Sequence, residues 1–496
     1  MKKGKIGRFQ ILLIFSTIII GLYGTVGYFS FGFDDEYSNI QLVEEHGSGV
    51  FSYMQTIDVH PPLSYYANWL LFKTFGNWSL VRLVISLLAA LSLIFALFSF
   101  NKKYGFRSAV IIFFLLAMNP ALLMWCTSLR WYSFFVPILI WLSVIPVRQG
   151  WLYWAKCFLG LLLLSYISYA AFLVALPVIY LYWSKSKQNI STKVKSLLIF
   201  GFIFLLMYSY QLLIFLTVHV NNKEEQLFSI VTSIIGFITS QISNQGVFPF
   251  SIPGIISIVG VSGLILTIFI SNFKLNIRNN YLLSFLFTSI VSIISGLAGK
   301  FRNLVILNPW QAYWIATSEI KEKHRKIFVI FIVMVSFSNL WGNFNVITRS
   351  NTTKNDFNIP VSKIINEIDT QTGKNFEDVL VLTHNRGLTW NLQQAGYTVV
   401  DFHSKQTTPD SLFLREYERL IVLKTWQGSI DDDQYKLMYE ELDNVNRKSE
   451  QLLFFGRDSN FRIKQKLEPR FQEYGVQMII LNDASDLFEL SSWIKE

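Results

Sequence analysis

Long apolar runs, broken only by short polar loops, fill the first 350 of the 496 residues and constrain the chain more than any other feature. Without water, peptide groups must bond within their own segment, so a run of about 20 apolar residues specifies a membrane-crossing helix. Such spans are expected near 9–31, 79–99, 107–124, 131–147, 196–218, 253–272, 280–298, 303–318 and 327–345. The stretch from Leu152 to Trp183 carries one charge, Lys156, near its start. Its flanks are basic on both sides, Arg148 and Lys156 before it and Lys185, Lys187, Lys193 and Lys195 after it. A single span cannot return to its own side, whereas two short helices meeting near Tyr166–Tyr169 can. That pair raises the expected total to eleven.

Charge is scarce and unevenly placed. Charged residues make up 15% of the chain, against about 25% in soluble globular proteins, which excludes an ordinary cytosolic enzyme. The net charge of +10 alone would suggest a nucleic-acid partner. Residues 351–496, however, hold 17 Lys and Arg against 23 Asp and Glu, leaving 26 basic and 10 acidic side chains in the first 350. The surplus is therefore a property of the membrane region and implies no nucleic acid. Lys and Arg stay on the cytoplasmic side of spans. Lys2, Lys3, Lys5 and Arg8, then Lys102, Lys103 and Arg107, then the run Lys321–Lys326 all fall on one side when the spans alternate. Loops 32–78, 125–130, 219–252 and 299–302, with the tail from 350, fall outside. The expected location is an inner or plasma membrane, with a cytoplasmic N-terminus and an extracytoplasmic tail.

The first helix is preceded by Lys like a signal peptide, but its 23 residues and lack of a small-residue cleavage site favour a retained span. The apolar segment 227–252, with Asn244, Gly246, Pro249 and Pro253, reads as a surface-lying or re-entrant helix. Cys126 and Cys157 sit in separate apolar helices and suggest neither a disulfide framework nor a metal site. Beyond an Asn351–Asn358 linker, short β-rich runs at 379–383, 397–402, 420–423, 452–455 and 478–481 alternate with polar helical stretches. This describes an α/β domain of modest size.

Residues that break these patterns locate candidate chemistry. Six of the ten acids of the first 350 residues lie between Asp34 and Asp58. Asp34, Asp35 and Glu36 follow the first span directly; they either open a helix, where acids favour the first turn, or supply a working carboxylate at the membrane surface. Farther along, Asp58-Val59-His60-Pro61-Pro62 marks a helix start. Leu63, Tyr66, Leu70 and Lys73 then follow one face of an interfacial helix, with His60 at an N-terminal end suited to an anion or metal. Arg130, in Arg130-Trp131-Tyr132, and the pair Lys300 and Arg302 lie at the outer side against the charge rule. Snorkelling to lipid headgroups explains them, as does an anionic lipid phosphate.

These residues together resemble the membrane glycosyltransferases of the GT-C fold. The resemblance rests on Asp35-Glu36 after the first span, His60-Pro61-Pro62-Leu63 at the end of that loop and Arg130-Trp131-Tyr132 opening a later span. The outer basic pair before Leu304-Val305-Ile306-Leu307-Asn308-Pro309 completes it. The nearest group is family 39, the polyprenyl-phosphate-sugar transferases related to protein mannosyltransferases and to the aminoarabinose transferase of lipid A. The resemblance covers roughly residues 1–345. It implies a transmembrane catalytic domain, 1–350, and an outer domain, 351–496. It also implies a polyprenyl-phosphate sugar as donor, a protein, glycolipid or glycan hydroxyl as acceptor, and inversion at the anomeric carbon. The family's catalytic Asp maps onto Asp35, with Asp34 a competing neighbour and Glu36 or Asp34 orienting the base. Lys300, Arg302, Arg130 and the His60 helix end would hold the departing phosphate. Some relatives carry an acid just before the proline pair that helps bind a divalent cation; here Val59 precedes His60 and Asp58 is displaced by one residue. A transporter of lipid-linked sugars would place ionisable groups at the bilayer midplane. A polysaccharide polymerase or ligase would rely instead on Arg and His in a large late loop.

Overall fold

The computed structural model describes residues 3–29, 34–57, 61–144, 150–214, 237, 252–294, 301–347, 379–383, 392–393, 395–401, 419–423, 451–456, 476–484 and 488–495. These fall into two compact units, one of residues 1–31 and 42–347, the other of 32–41 and 348–496. The 227–252 segment, apart from residues 237 and 252, and the Asn351–Asn358 linker lie outside the described residues.

The first unit is helical. Among the described residues five helices are long and apolar enough to cross a membrane: α1 (Lys3–Phe29), α5 (Trp78–Tyr104), α11 (Ile190–Ile214), α12 (Ile252–Asn276) and α15 (Arg325–Ile347). Four shorter apolar helices join them, α8 (Tyr132–Val144), α9 (Trp151–Ile167), α10 (Ala171–Lys185) and α13 (Asn280–Ile294). The run from Leu152 to Trp183 is indeed two helices, α9 and α10, meeting at Ser168. Where a span was expected at 303–318 stand a 3₁₀ turn, Phe301–Leu307, and the ten-residue α14 (Asn308–Thr317).

The span expected at 107–124 is broken. α6 (Phe106–Ile112) passes into a π turn, Phe113–Ala117, and resumes as α7 (Pro120–Cys126), bent by 60°. Asn119 makes the break, its Oδ1 accepting from the N–H groups of Ala121 and Leu122 at 2.9 and 3.3 Å, with Pro120 at the first helical position. A bend frees carbonyls that hydrocarbon cannot solvate, and α15 supplies the donors. Asn339 Nδ2 donates to the Phe114 carbonyl at 2.7 Å, and Asn343 Nδ2, one turn on, to that of Met118 at 2.9 Å.

Close helix approach depends on glycine. Gly27 on α1 faces Arg82 and Ser86 on α5; a Cβ there would lie 2.6 Å from Ser86 Cβ. Gly260 on α12 faces Val335 on α15, where a Cβ would lie 2.8 Å from Cγ2. Without a hydrophobic force between helices in lipid, small residues gain their packing by letting backbones approach.

The two ends of the bundle differ. Arg8 lies over the Phe106 ring at 5.9 Å and Arg107 over the Phe328 ring at 5.0 Å. Lys185 Nζ donates to the Ser143 carbonyl at 2.9 Å, and Lys193 Nζ to that of Trp183 at 2.9 Å. The basic turns expected on one side of a membrane thus meet one another at one end. Short helices cover the opposite end: α3 (Val50–Ile57) and α4 (Leu63–Phe75). Gly76, at φ +63°, turns the chain from α4 into α5.

Among the described residues of the second unit, six strands form one sheet of order β2-β1-β3-β4-β6-β5. β1 (Val379–Thr383), β2 (Thr398–Asp401), β3 (Arg419–Leu423) and β4 (Gln451–Gly456) are parallel neighbours; β6 (Phe488–Lys495) runs antiparallel to β4 and to β5 (Val476–Ala484). Five of the six strands fall on the apolar runs expected from sequence. The polar helical stretches expected between them lie largely outside the described residues.

Gly27→Val should lower the thermal unfolding midpoint in detergent, at a cost of about 1–3 kcal/mol for overpacking. Gly21→Val on the same helix, where a Cβ would meet nothing within 4 Å, should leave it unchanged. Asn339→Leu should lower the same midpoint, since a carbonyl left unpaired in hydrocarbon costs about 1–3 kcal/mol.

Candidate functional site

The three acids open α2 (Asp34–His46) and form its first turn. The helix dipole and the free N–H groups of that turn favour negative charge there. They are not all solvated. Glu36 is 1% exposed and shares a buried face with Asn39, Ile40 and Val43, spaced as one side of a helix. The side chains of Asp34 and Asp35 lie outside what is described. Residues 32–41 belong to the second unit. At the far end of α2, Glu44 Oε1 accepts from Trp78 Nε1 at 2.8 Å, and His46 stacks on Tyr53 at 3.6 Å.

Asp58 and His60 lie outside the described residues, as does Lys300. α4 does start behind the proline pair, at Leu63, and its orientation is informative. Ser64, Tyr65 and Asn68 are buried against the protein, while Leu70 is half exposed on the other face. A helix whose polar side faces the protein and whose apolar side faces outward suits a membrane interface.

From its buried face, Asn68 Nδ2 donates to the Leu129 carbonyl at 3.0 Å. This bond ties α4 to the turn that carries Arg130. Arg130 is partly exposed, and its carbonyl accepts from Ser133 Oγ at 2.6 Å, holding the first turn of α8. Tyr132 is 1% exposed, packed between Trp125 and Trp131 with ring centroids 5.3 and 3.9 Å away. Its hydroxyl donates to Asn303 Oδ1 at 2.9 Å, across 171 residues. Asn303 follows Arg302 directly, within the 3₁₀ turn; of Arg302 only the backbone is described. Three segments singled out from sequence, the α4 helix, 128–132 and 301–303, are therefore joined by two side-chain hydrogen bonds at the end opposite the basic turns.

Sequence reasoning passed over Arg82. It lies in α5, one turn beyond the Asn77 cap, and is 5% exposed on the face that also buries Trp78, Ile85 and Ser86. An ionisable group buried in an apolar helix marks a functional site by default; a lone Arg inside an otherwise uncharged run was the available signal. Asn68 and Asn303 carried no such signal. Among the described residues no three His, Cys, Asp or Glu side chains group as metal ligands, and Cys126 and Cys157 are buried and unpaired. The described residues do not supply a ligand set for a divalent cation.

No protein-family model matches the chain, and no curated protein matches it in sequence. Two solved structures are similar along almost its whole length. Against ArnT from Cupriavidus metallidurans in the apo state the TM-score is 0.52 at 11% identity, covering 98% of this chain and 98% of that one. Against the same protein bound to undecaprenyl phosphate it is 0.49 at 12% identity, covering 97% and 98%. At such identity the first likeness establishes the architecture alone: this chain has the polytopic helical fold of ArnT, the GT-C-like fold expected from its motifs.

Proposed function

We propose that the chain is a membrane glycosyltransferase that moves a sugar from a polyprenyl phosphate to an acceptor hydroxyl at the outer face. The observation that carries the reading is the joining of the Arg130–Tyr132 turn to the Asn303 turn and to α4. Two segments remote in sequence are thereby held together at a single end of the bundle. A partly exposed Arg130 beside an interfacial helix suits a lipid phosphate, and the ArnT-like fold supports the same reading.

The chemistry follows from the residues. Asp35 accepts the proton of the acceptor hydroxyl as its oxygen bonds to the anomeric carbon. The bond from that carbon to the phosphate oxygen breaks on the opposite face, so configuration inverts and the electron pair leaves with the polyprenyl phosphate. Phosphate is a good leaving group and needs no protonation. It needs cations where charge gathers, and Arg130, Lys300, Arg302 and the His60 end of α4 are assigned that task. Glu36, buried in the same first turn, orients Asp35. Arg82 adds a second buried charge of opposite sign. The domain from 1 to 350 is the catalytic body and 351–496 an outer domain that supports acceptor binding.

Asp35→Asn should lower release of labelled sugar from a polyprenyl-phosphate donor about 10²–10⁴-fold in reconstituted membranes, the usual worth of a general base. Asp34→Asn should retain most of it. Full transfer by Asp35→Asn would refute the assignment, and label that crosses the bilayer without release would identify a transporter instead. Tyr132→Phe breaks the bond to Asn303 and should raise KM for the donor about fivefold, the weight of one neutral hydrogen bond; an unchanged KM would separate that bond from donor binding.

A further inference from the structure

The opposite, basic end of the bundle carries an apolar groove. α6 and α15 leave between them a groove of about 620 Å³, open along its length and lined by apolar side chains. Ile111, Phe328 and Ile332 are buried in its floor, and Val333 and Phe337, 60% and 50% exposed, form one wall. Its one charged lining residue is Arg107, whose guanidinium lies over the Phe328 ring and whose side chain is otherwise exposed. Arg325 is exposed at the first turn of α15, three residues and so about one turn before Phe328, the ring that Arg107 covers. Arg325 has a carboxylate near it, Glu322 at 3.8 Å, but that pair is exposed and weak. One guanidinium thus lines the groove at its basic end, and a second lies one helical turn before the lining residue Phe328.

The dimensions select the occupant. From Phe328 to Leu340 the groove follows α15 for about 18 Å at 1.5 Å per residue. One leaflet of hydrocarbon is about 15 Å, half the usual core. The groove therefore begins at the basic end of the bundle and runs one leaflet deep. We propose that it seats an anionic phospholipid of the leaflet at the basic end, one acyl chain in the groove and the phosphate between Arg107 and Arg325. Arg pairs with phosphate in a bidentate way that a zwitterionic headgroup satisfies less well, since its own cation competes. This site lies at the end remote from the Arg130–Tyr132 wall, and its measurement does not depend on sugar transfer.

The full-length protein, reconstituted in nanodiscs of equal phosphatidylcholine and phosphatidylglycerol and released into detergent, should retain phosphatidylglycerol preferentially in native mass spectra. The double variant R107Q/R325Q should lose that preference roughly tenfold, the weight of one charge-assisted contact. Val333→Trp, which fills the groove from its exposed wall, should reduce retention with both arginines intact. Leu266→Trp, at a position 60% exposed on α12, should not. The proposal is overturned if the wild type shows no preference between the lipids, if R107Q/R325Q keeps it, or if the two tryptophan variants behave alike.

Discussion

The first unit depends on one rule: in hydrocarbon, each peptide group must find its partner within the protein. Regular helices obey it without help. The interesting places are where the chain departs from regularity, and at each of them a side chain has been supplied. The π turn after α6 frees two carbonyls, and α15 presents Asn339 and Asn343 one turn apart to meet them. The turn before α8 frees the Leu129 carbonyl, and Asn68 meets it. Asn68, Asn339 and Asn343 are thus answers to backbone irregularity.

The irregularities in turn make the candidate site. A straight continuous span over 107–124 would carry its successor directly across the membrane. The 60° bend and the short α7 deliver the chain instead to the turn at 127–131, where Arg130 is fixed by its own carbonyl and Tyr132 is pinned to Asn303. α14, short and preceded by a 3₁₀ turn, does the same for the neighbourhood of Arg302. Both basic segments sit where a helix has been interrupted, which leaves their polar groups at the bundle end and out of its middle.

Much of this was legible in the sequence because apolar burial in lipid needs only composition and length. The helical runs follow from that; the pairing of α9 with α10 needed the basic flanks as well, and five of the strands were legible as short β-rich runs in the polar tail. The break in the 107–124 span left a quieter trace, Asn119-Pro120, a cap and a helix-starting proline inside an apolar run; hydropathy averages it away. Phe488–Lys495 breaks its alternation at Ser491-Ser492 and Trp493-Ile494 and has no continuous apolar run, so β6 did not stand out. Arg82 was visible as a charge, yet its burial comes from tertiary packing that no local pattern reveals. The Tyr132–Asn303 bond could not be read at all, since nothing in either segment names a partner 171 residues away. The acidic triplet was legible as a motif, but the burial of Glu36 comes from helix phase and packing.

The asparagine bonds from α15 to the broken helix have a consequence for biosynthesis. Each joins residues 225 positions apart. At about 5–20 residues per second, the carbonyls of Phe114 and Met118 enter the membrane roughly ten to forty seconds before Asn339 and Asn343 are made. During that interval the bent helix must keep its bare carbonyls near water or against a helper protein. The last span is therefore the clasp that closes the bundle. A nascent chain stalled before it would hold every segment of the candidate site and still lack the bond donors that hold the bend.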